Sequence, residues 1–184
     1  MCLTVDHEVA HAILDSCAPD TLWDGPVHVS KVQLVNPPET ARSYSSVYWD
    51  DLPGTGHARS MLGSPQAWSP TSSKPGEWMQ IDLECVQTVV GIVTQGRADD
   101  QSNQYVSSLK VQLSRDGVTF SDVPGVFSSA QYPTKTESRF PAPQSARYVR
   151  LVPQSSTFPS MQAAVLVNLK PTVSQLQALR PRFP

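Results

Sequence analysis

Two different spacings of apolar residues divide this chain. In residues 4–17 apolar side chains recur every four positions, as they do on one face of a helix; they are Val5, Val9, Ile13 and Cys17. Beyond residue 26 apolar and polar positions alternate instead, which is the spacing of strands. The pattern predicts a short amphipathic helix in an N-terminal extension (1–24), a β domain over 25–169, and a tail over 170–184.

Short stretches with the strand pattern follow one another through the β domain. They are residues 31–35, 77–83, 88–95, 105–114, 118–123, 146–153 and 163–169. Arg115-Asp116-Gly117 separates two of them and predicts a hairpin turn. About eight short strands separated by turns predict an all-β fold, an antiparallel β-sandwich or barrel of jelly-roll type.

Length and charge narrow the function classes. A chain of 184 residues fits one ordinary domain with short extensions. Its formal net charge of −2 provides no basic field that would collect nucleic acid. Apolar runs stay below the roughly 18 residues of a membrane helix, and the N-terminus lacks the basic start of a signal peptide. We therefore expect a cytoplasmic protein, or one exported without a signal peptide.

The cysteines number three, Cys2, Cys17 and Cys85, and show no metal-binding spacing. An odd count without a pattern favours free thiols in a reducing compartment. A bridge between Cys17 and Cys85 is the alternative. No cofactor is predicted from these residues.

Residues 7–11 read HEVAH, the H-E-x-x-H spacing that holds zinc in many peptidases. His7 and His11 share one face of the predicted helix, and Glu8 would activate a zinc-bound water. The third ligand is missing, however, because Leu14 and Cys17 stand where the extended motif has glycine and histidine. We interpret the two histidines as an adventitious metal site at most, and rank a zinc metallopeptidase last.

Three stretches carry a family resemblance: WMQIDLECVQTVVGIVTQGR (78–97), YVSSLKVQLSRDGVTF (105–120) and FPAPQSARYVRLVP (140–153). In this order and spacing the chain resembles the discoidin, or coagulation factor V/VIII type C, domain family over roughly residues 28–168. The resemblance implies an eight-stranded, galactose-binding-like jelly-roll sandwich without catalytic activity. It also implies that loops at one end of the sandwich bind sugars, phospholipid head groups or proteins.

Three loops match the binding end implied by the resemblance, at residues 46–51, 96–104 and 156–159. Sugar recognition needs an aromatic face for the ring and fixed polar groups for its hydroxyls. The candidate ligand-binding residues are Tyr48, Trp49, Asp50, Asp51, Arg97, Asp99, Asp100, Gln104 and Phe158. If the first loop is extended, only one of the adjacent rings of Tyr48 and Trp49 points inward.

Two departures from the family modify the prediction. No cysteine follows Cys85 to close the domain with the usual terminal disulfide, which favours an intracellular setting. Leu62 also stands where calcium-binding members have an aspartate, and leucine has no oxygen to ligate calcium. The sequence thus predicts a lectin-like module for carbohydrate, galactose in type. The alternative is an intracellular adaptor for a protein partner or phospholipid head groups.

Overall fold

The computed structural model describes residues 31–98, 104–155 and 159–169, and seven strands lie in these ranges. They are β1 (Val32–Val35), β2 (Arg42–Tyr44), β3 (Met79–Gln95), β4 (Ser108–Ser114), β5 (Ser121–Asp122), β6 (Thr136–Ser155) and β7 (Gln162–Asn168). Two 3-10 turns occur at Glu39–Ala41 and Tyr48–Asp50. The predicted helix over 4–17, with His7 and His11, and the predicted tail lie outside the described residues.

The two long strands, β3 and β6, run through both layers of a sandwich. The first half of β3 pairs with β2 and with the second half of β6, which in turn pairs with β4. The second half of β3 pairs with β7 and with the first half of β6. All of these pairs are antiparallel, and β1 and β5 add at the edges. The predicted all-β sandwich is confirmed.

The bend in β3 joins two stretches whose patterns predict separate strands. The stretches predicted as strands at 77–83 and 88–95 form one continuous strand with a register shift between Asp82 and Gln87. Glu84, inside this shift, has φ 65°, a conformation that turns the chain sharply. Apolar alternation reports each half of β3 but not their continuity, so the pattern predicts two strands where the structure has one.

The core lies between the two layers, where the alternating apolar residues of both sheets meet. Trp68, Met79, Ile81, Ile92 and Leu151 are each fully buried there. Trp68 also donates its indole N–H to the carbonyl oxygen of Ser46 at 2.9 Å, which ties the first loop to the core.

Two side chains at the start of β3 or just before it are half-buried. The guanidinium of Arg150 covers the ring of Trp78 at 4.2 Å. Asp82 is likewise half-buried, because it lies on the outer face of the strand and accepts two hydrogen bonds, at 2.8 and 2.9 Å, from Arg147. Burial raises the pKa of Asp82, but the hydrogen bonds from Arg147 and from the Glu84 backbone outweigh it and leave the pKa lowered.

A buried arginine joins three segments of the chain by hydrogen bonds. Arg42 donates to the carbonyl oxygens of Pro37, Ser60 and Ala163 at 3.1, 2.9 and 3.0 Å, and to Asn36 Oδ1 at 2.9 Å. Burial lowers the pKa of its guanidinium to about 10, which still leaves it charged at neutral pH. A planar fork with five donors suits this position because several fixed acceptors surround it.

A buried glutamine organises the loop after Leu62. The Gln162 amide nitrogen donates to the carbonyl oxygens of Ser64 and Gln66 at 2.8 and 2.6 Å, and its oxygen accepts from Gly63 N at 2.7 Å. The side-chain amide of Gln162 therefore satisfies three backbone groups of this loop.

Cys85 lies in the bend of β3 and is disulfide-bonded. The expectation of free thiols is therefore wrong for this residue. Cys2 and Cys17 lie outside the described residues.

The strand directions define two ends of the sandwich. Both termini of β3 and the C-terminus of β6 lie at one end, together with the start of β4, because Met79 pairs with Leu151 and Ser108 pairs with Ser155. We call this end the rim. The bend of β3 and the turn after Ser114 lie at the opposite end.

Candidate functional site

The first rim loop presents two aromatic rings side by side. Tyr48 and Trp49 are 43% and 76% exposed, and their ring centroids are 5.2 Å apart. Trp49 and Asp50 have φ values of 62° and 54°, a left-handed conformation that non-glycine residues adopt at a cost. The expectation of one inward ring applied to an extended loop, whereas this segment is a tight turn and both rings are exposed.

Hydrogen bonds between Asp51 and His57 stabilise that turn. One carboxylate oxygen of Asp51 accepts from the His57 backbone N–H at 2.8 Å and from its ring Nδ1 at 2.9 Å. A carboxylate only accepts, so Nδ1 carries a proton. The backbone and ring hydrogen bonds from His57 lower the pKa of Asp51. Asp51, one of the predicted ligand-binding residues, uses this carboxylate oxygen to hold the loop.

The ring of His57 supports both aromatic residues. It meets Tyr48 and Trp49 edge-on, with centroid distances of 5.1 and 5.2 Å and interplanar angles of 72° and 89°. Edge-to-face packing at these distances is favourable and restrains all three rings. The sequence offered no periodic or motif signal for His57, so its role was missed.

A cleft of about 280 Å³ opens beside this aromatic pair. Its lining combines Tyr48 and His57 from the first loop with polar groups from four other segments. The lining residues are Tyr48, His57, Ser69, Pro70, Thr71, Ser72, Ser73, Arg97, Gln104, Pro159 and Ser160. A volume of this size lies at the lower end of the range for small-molecule sites.

Hydrogen bonds fix the polar side of the cleft. Arg97 Nη1 donates to Gln104 Oε1 at 3.1 Å, and the Ser160 hydroxyl donates to the same oxygen at 3.3 Å. The hydroxyls of Ser160 and Ser69 are 2.7 Å apart. A ligand entering the cleft would therefore meet side chains that are already oriented, which reduces the ordering cost of binding.

Of the predicted site residues, Tyr48, Arg97 and Gln104 line the cleft together. Trp49 stands beside the cleft, and Asp50 lies on the exposed turn. Asp99, Asp100 and Phe158 lie outside the described residues, so their predicted contacts are not tested. Ser69 and Ser160 were missed because they lie 91 residues apart and only the folded chain brings them together.

Exposed apolar side chains accompany the cleft at the rim. Trp49 and Leu52, which we call the tip, are 76% and 74% exposed. Val126 and Tyr132, 68% and 46% exposed, follow in a segment attached to the same end of the sandwich. That attachment is shown by the hydrogen bonds from Ser129 N to Val106 O and from Gly96 N to Ala130 O.

Within the described ranges, no group of three His, Cys, Asp or Glu side chains is arranged to hold a metal ion. Nor does any helix of that part of the chain have the length and apolarity to span a membrane.

The sequence matches the F5/8 type C domain family over residues 38–165. Lactadherin from Bos taurus is 35% identical over 99 residues, which cover 50% of this chain and 23% of lactadherin. The chain thus spans about a quarter of the length of that relative.

Solved structures with the same fold include a discoidin and a bacterial carbohydrate-binding module. Discoidin II of Dictyostelium discoideum superposes with a TM-score of 0.55 at 18% identity, over 72% of this chain and 57% of that one. The family 32 CBM from C. perfringens NanJ, in complex with galactose, superposes with a TM-score of 0.54 at 14% identity, over 74% of this chain and 99% of that one. At these identities the likeness extends to the fold.

Proposed function

The chain belongs to the F5/8 type C domain family, and from this membership and the geometry of the rim we propose that its cleft binds carbohydrate of the galactose type. Domains of this family are generally non-catalytic binding modules, many of them for carbohydrate. The family 32 module of NanJ was solved with galactose.

The observation that carries the proposal is the composition of the cleft. Tyr48 supplies an aromatic wall, and His57, Arg97 and Gln104 supply hydrogen-bonding groups to the same lining. A sugar has an apolar C–H face and a rim of hydroxyls, so it needs both kinds of surface at once. The cleft is also largely pre-formed, because Arg97 and Gln104 already contact each other at 3.1 Å.

Titration with galactose and N-acetylgalactosamine, followed by ligand-detected NMR and calorimetry, tests the proposal. We expect Tyr48→Ala to weaken binding about tenfold or more, because it removes the stacking surface. Arg97→Lys should also weaken binding, since a lysine keeps the charge but loses the planar fork.

Tyr132→Ala is the matched control, because Tyr132 is as exposed as Tyr48, 46% against 43%, and is not a cleft residue. It should bind like the unaltered protein. Absence of binding to these sugars and across a broad glycan array would refute the proposal.

A second candidate function is recognition of a phospholipid head group or a protein partner through the tip. The observation that favours it is the exposure of Trp49 and Leu52 on one loop, 76% and 74%. Apolar side chains grouped on a surface mark contact with membranes or proteins. Retention of a lysate protein, or of phosphatidylserine vesicles, that depends on Leu52 and not on Arg97 would support this alternative.

A further inference from the structure

The cleft and the apolar tip meet at two adjacent residues. Tyr48 lines the cleft, and the ring of Trp49, 5.2 Å from it, is the most exposed aromatic ring of the first loop at 76%. We propose that the ligand is the sugar head group of a neutral glycolipid, held in the cleft while the tip enters the bilayer. This inference rests on the proposed carbohydrate function and names the carrier of the sugar.

The tip is built to keep its apolar groups outward. The left-handed turn at Trp49 and Asp50 and the contacts from His57 prevent Trp49 from folding back into the core. Leu52, three residues on, is 74% exposed although the chain has a core that could accommodate leucine. Exposing a tryptophan and a leucine to water raises the free energy of the unbound protein. That free energy is recovered when both side chains enter an apolar phase.

The same end of the sandwich carries a second apolar segment. Val126 and Tyr132 are 68% and 46% exposed, and hydrogen bonds attach their segment to the residues that flank the Arg97 loop. Tyrosine and tryptophan suit the boundary of a membrane, where one part of the ring is apolar and another is wet. Both apolar segments therefore belong to the rim.

The balance of charged residues near the cleft favours a neutral lipid over an anionic one. Near the cleft and the tip the positive residues Arg59, Lys74 and Arg97 are matched by the negative residues Asp50, Asp51 and Glu77, and the whole chain has a net charge of −2. Attraction to anionic lipids requires an excess of lysine and arginine near the surface. A neutral bilayer with sugar head groups satisfies the polar cleft and the apolar tip without that excess.

The experiment compares three vesicle compositions: phosphatidylcholine alone, phosphatidylcholine with a galactosyl diacylglycerol, and phosphatidylcholine with phosphatidylserine. Binding is read by co-sedimentation and by the shift of tryptophan emission. We expect the galactolipid vesicles to bind at least tenfold more tightly than either of the others, with a blue shift as Trp49 leaves water.

Variants separate the two parts of the site. Leu52→Asp should weaken binding to galactolipid vesicles about tenfold and leave binding of free galactose unchanged. Arg97→Lys should weaken both. Val118→Asp is the matched control, because Val118 is 84% exposed and follows the end of β4 that lies opposite the rim; it should change neither.

Each outcome decides between the two proposals. Binding of free galactose without preference for galactolipid vesicles would overturn this inference and leave the proposed function standing. Equal binding of every vesicle type, or a galactolipid preference that Leu52→Asp does not reduce, would also overturn it. Preference for phosphatidylserine without any galactose binding would overturn both proposals in favour of the phospholipid alternative.

Discussion

Replacement of Gln162 by methionine tests whether a single buried amide holds the loop over residues 63–66. Methionine has a similar length and shape but cannot form the hydrogen bonds of the amide. Gln162 is 0% exposed and bonds two carbonyl oxygens and one N–H at 2.6 to 2.8 Å. The substitution therefore leaves three backbone groups without their partner.

The magnitude follows from those three groups. An unsatisfied buried donor or acceptor costs about 1–3 kcal/mol. Three of them sum to about 3–9 kcal/mol, and entry of water or movement of the loop reduces this, so we expect a loss of about 3–5 kcal/mol. A loss of that size is a large part of the roughly 5–15 kcal/mol by which a domain is stable.

Equilibrium unfolding in urea, followed by fluorescence and circular dichroism, measures the free energy of unfolding and its slope. Gln154→Met is the control, because Gln154 is exposed yet also donates to two carbonyl oxygens, at 3.1 and 3.2 Å. It should lose less than about 1 kcal/mol, since water replaces its hydrogen bonds. A loss below about 1 kcal/mol for Gln162→Met as well would refute the reasoning.

Three further predictions concern the turns and the buried arginine. Hydrogen bonds within its own turn lower the pKa of Asp116 to about 2. Its stabilising contribution is therefore present above pH 3.8, the ordinary pKa of aspartate, and is lost as the pH falls towards 2. Between pH 3.8 and 2 the urea midpoint of Asp116→Asn should decline less than that of the unaltered protein. Gly56→Ala places a Cβ on the Asp51 carboxylate, so the near-UV circular dichroism spectrum, which reports the rim aromatic residues, should change. Gly63→Ala is the control, because Gly63 also has a positive φ but a Cβ there would have no atom within 4 Å, and the spectrum should stay unaltered. Arg42→Lys keeps the charge but loses the fork of donors, which should lower the free energy of unfolding by about 2–4 kcal/mol in the same urea assay; an unchanged midpoint would contradict the role given to the fork.

The sequence contained enough to predict the sandwich and to name three candidate loops. Alternation of Leu109, Val111 and Leu113 marks the inward face of β4, and all three are buried. The resemblance placed the binding end at loops that include Tyr48 and Arg97, which the structure brings to one cleft. These features are local, because a side chain's face depends on its position along its own strand.

Other features depend on contacts that no local pattern records. His57 packs against Tyr48 and Trp49, Arg42 donates to Ala163, and Gln162 bonds the loop after Leu62. The partners in the last two cases lie 121 and 99 residues apart in the chain. A polar residue in a β pattern is read as facing water, whereas its burial is decided by acceptors and donors supplied from elsewhere in the fold.

By itself, then, the sequence determined the fold class, because period and turn chemistry act over a few neighbouring residues, and its family resemblance named the candidate loops. The tertiary structure alone decided that β3 and β6 are continuous through both layers, that Asp51 accepts two hydrogen bonds from His57, and that Trp49 is held outward beside the cleft. Each of these depends on backbone conformation and on distant hydrogen-bond partners, which exist only once the chain has closed on itself.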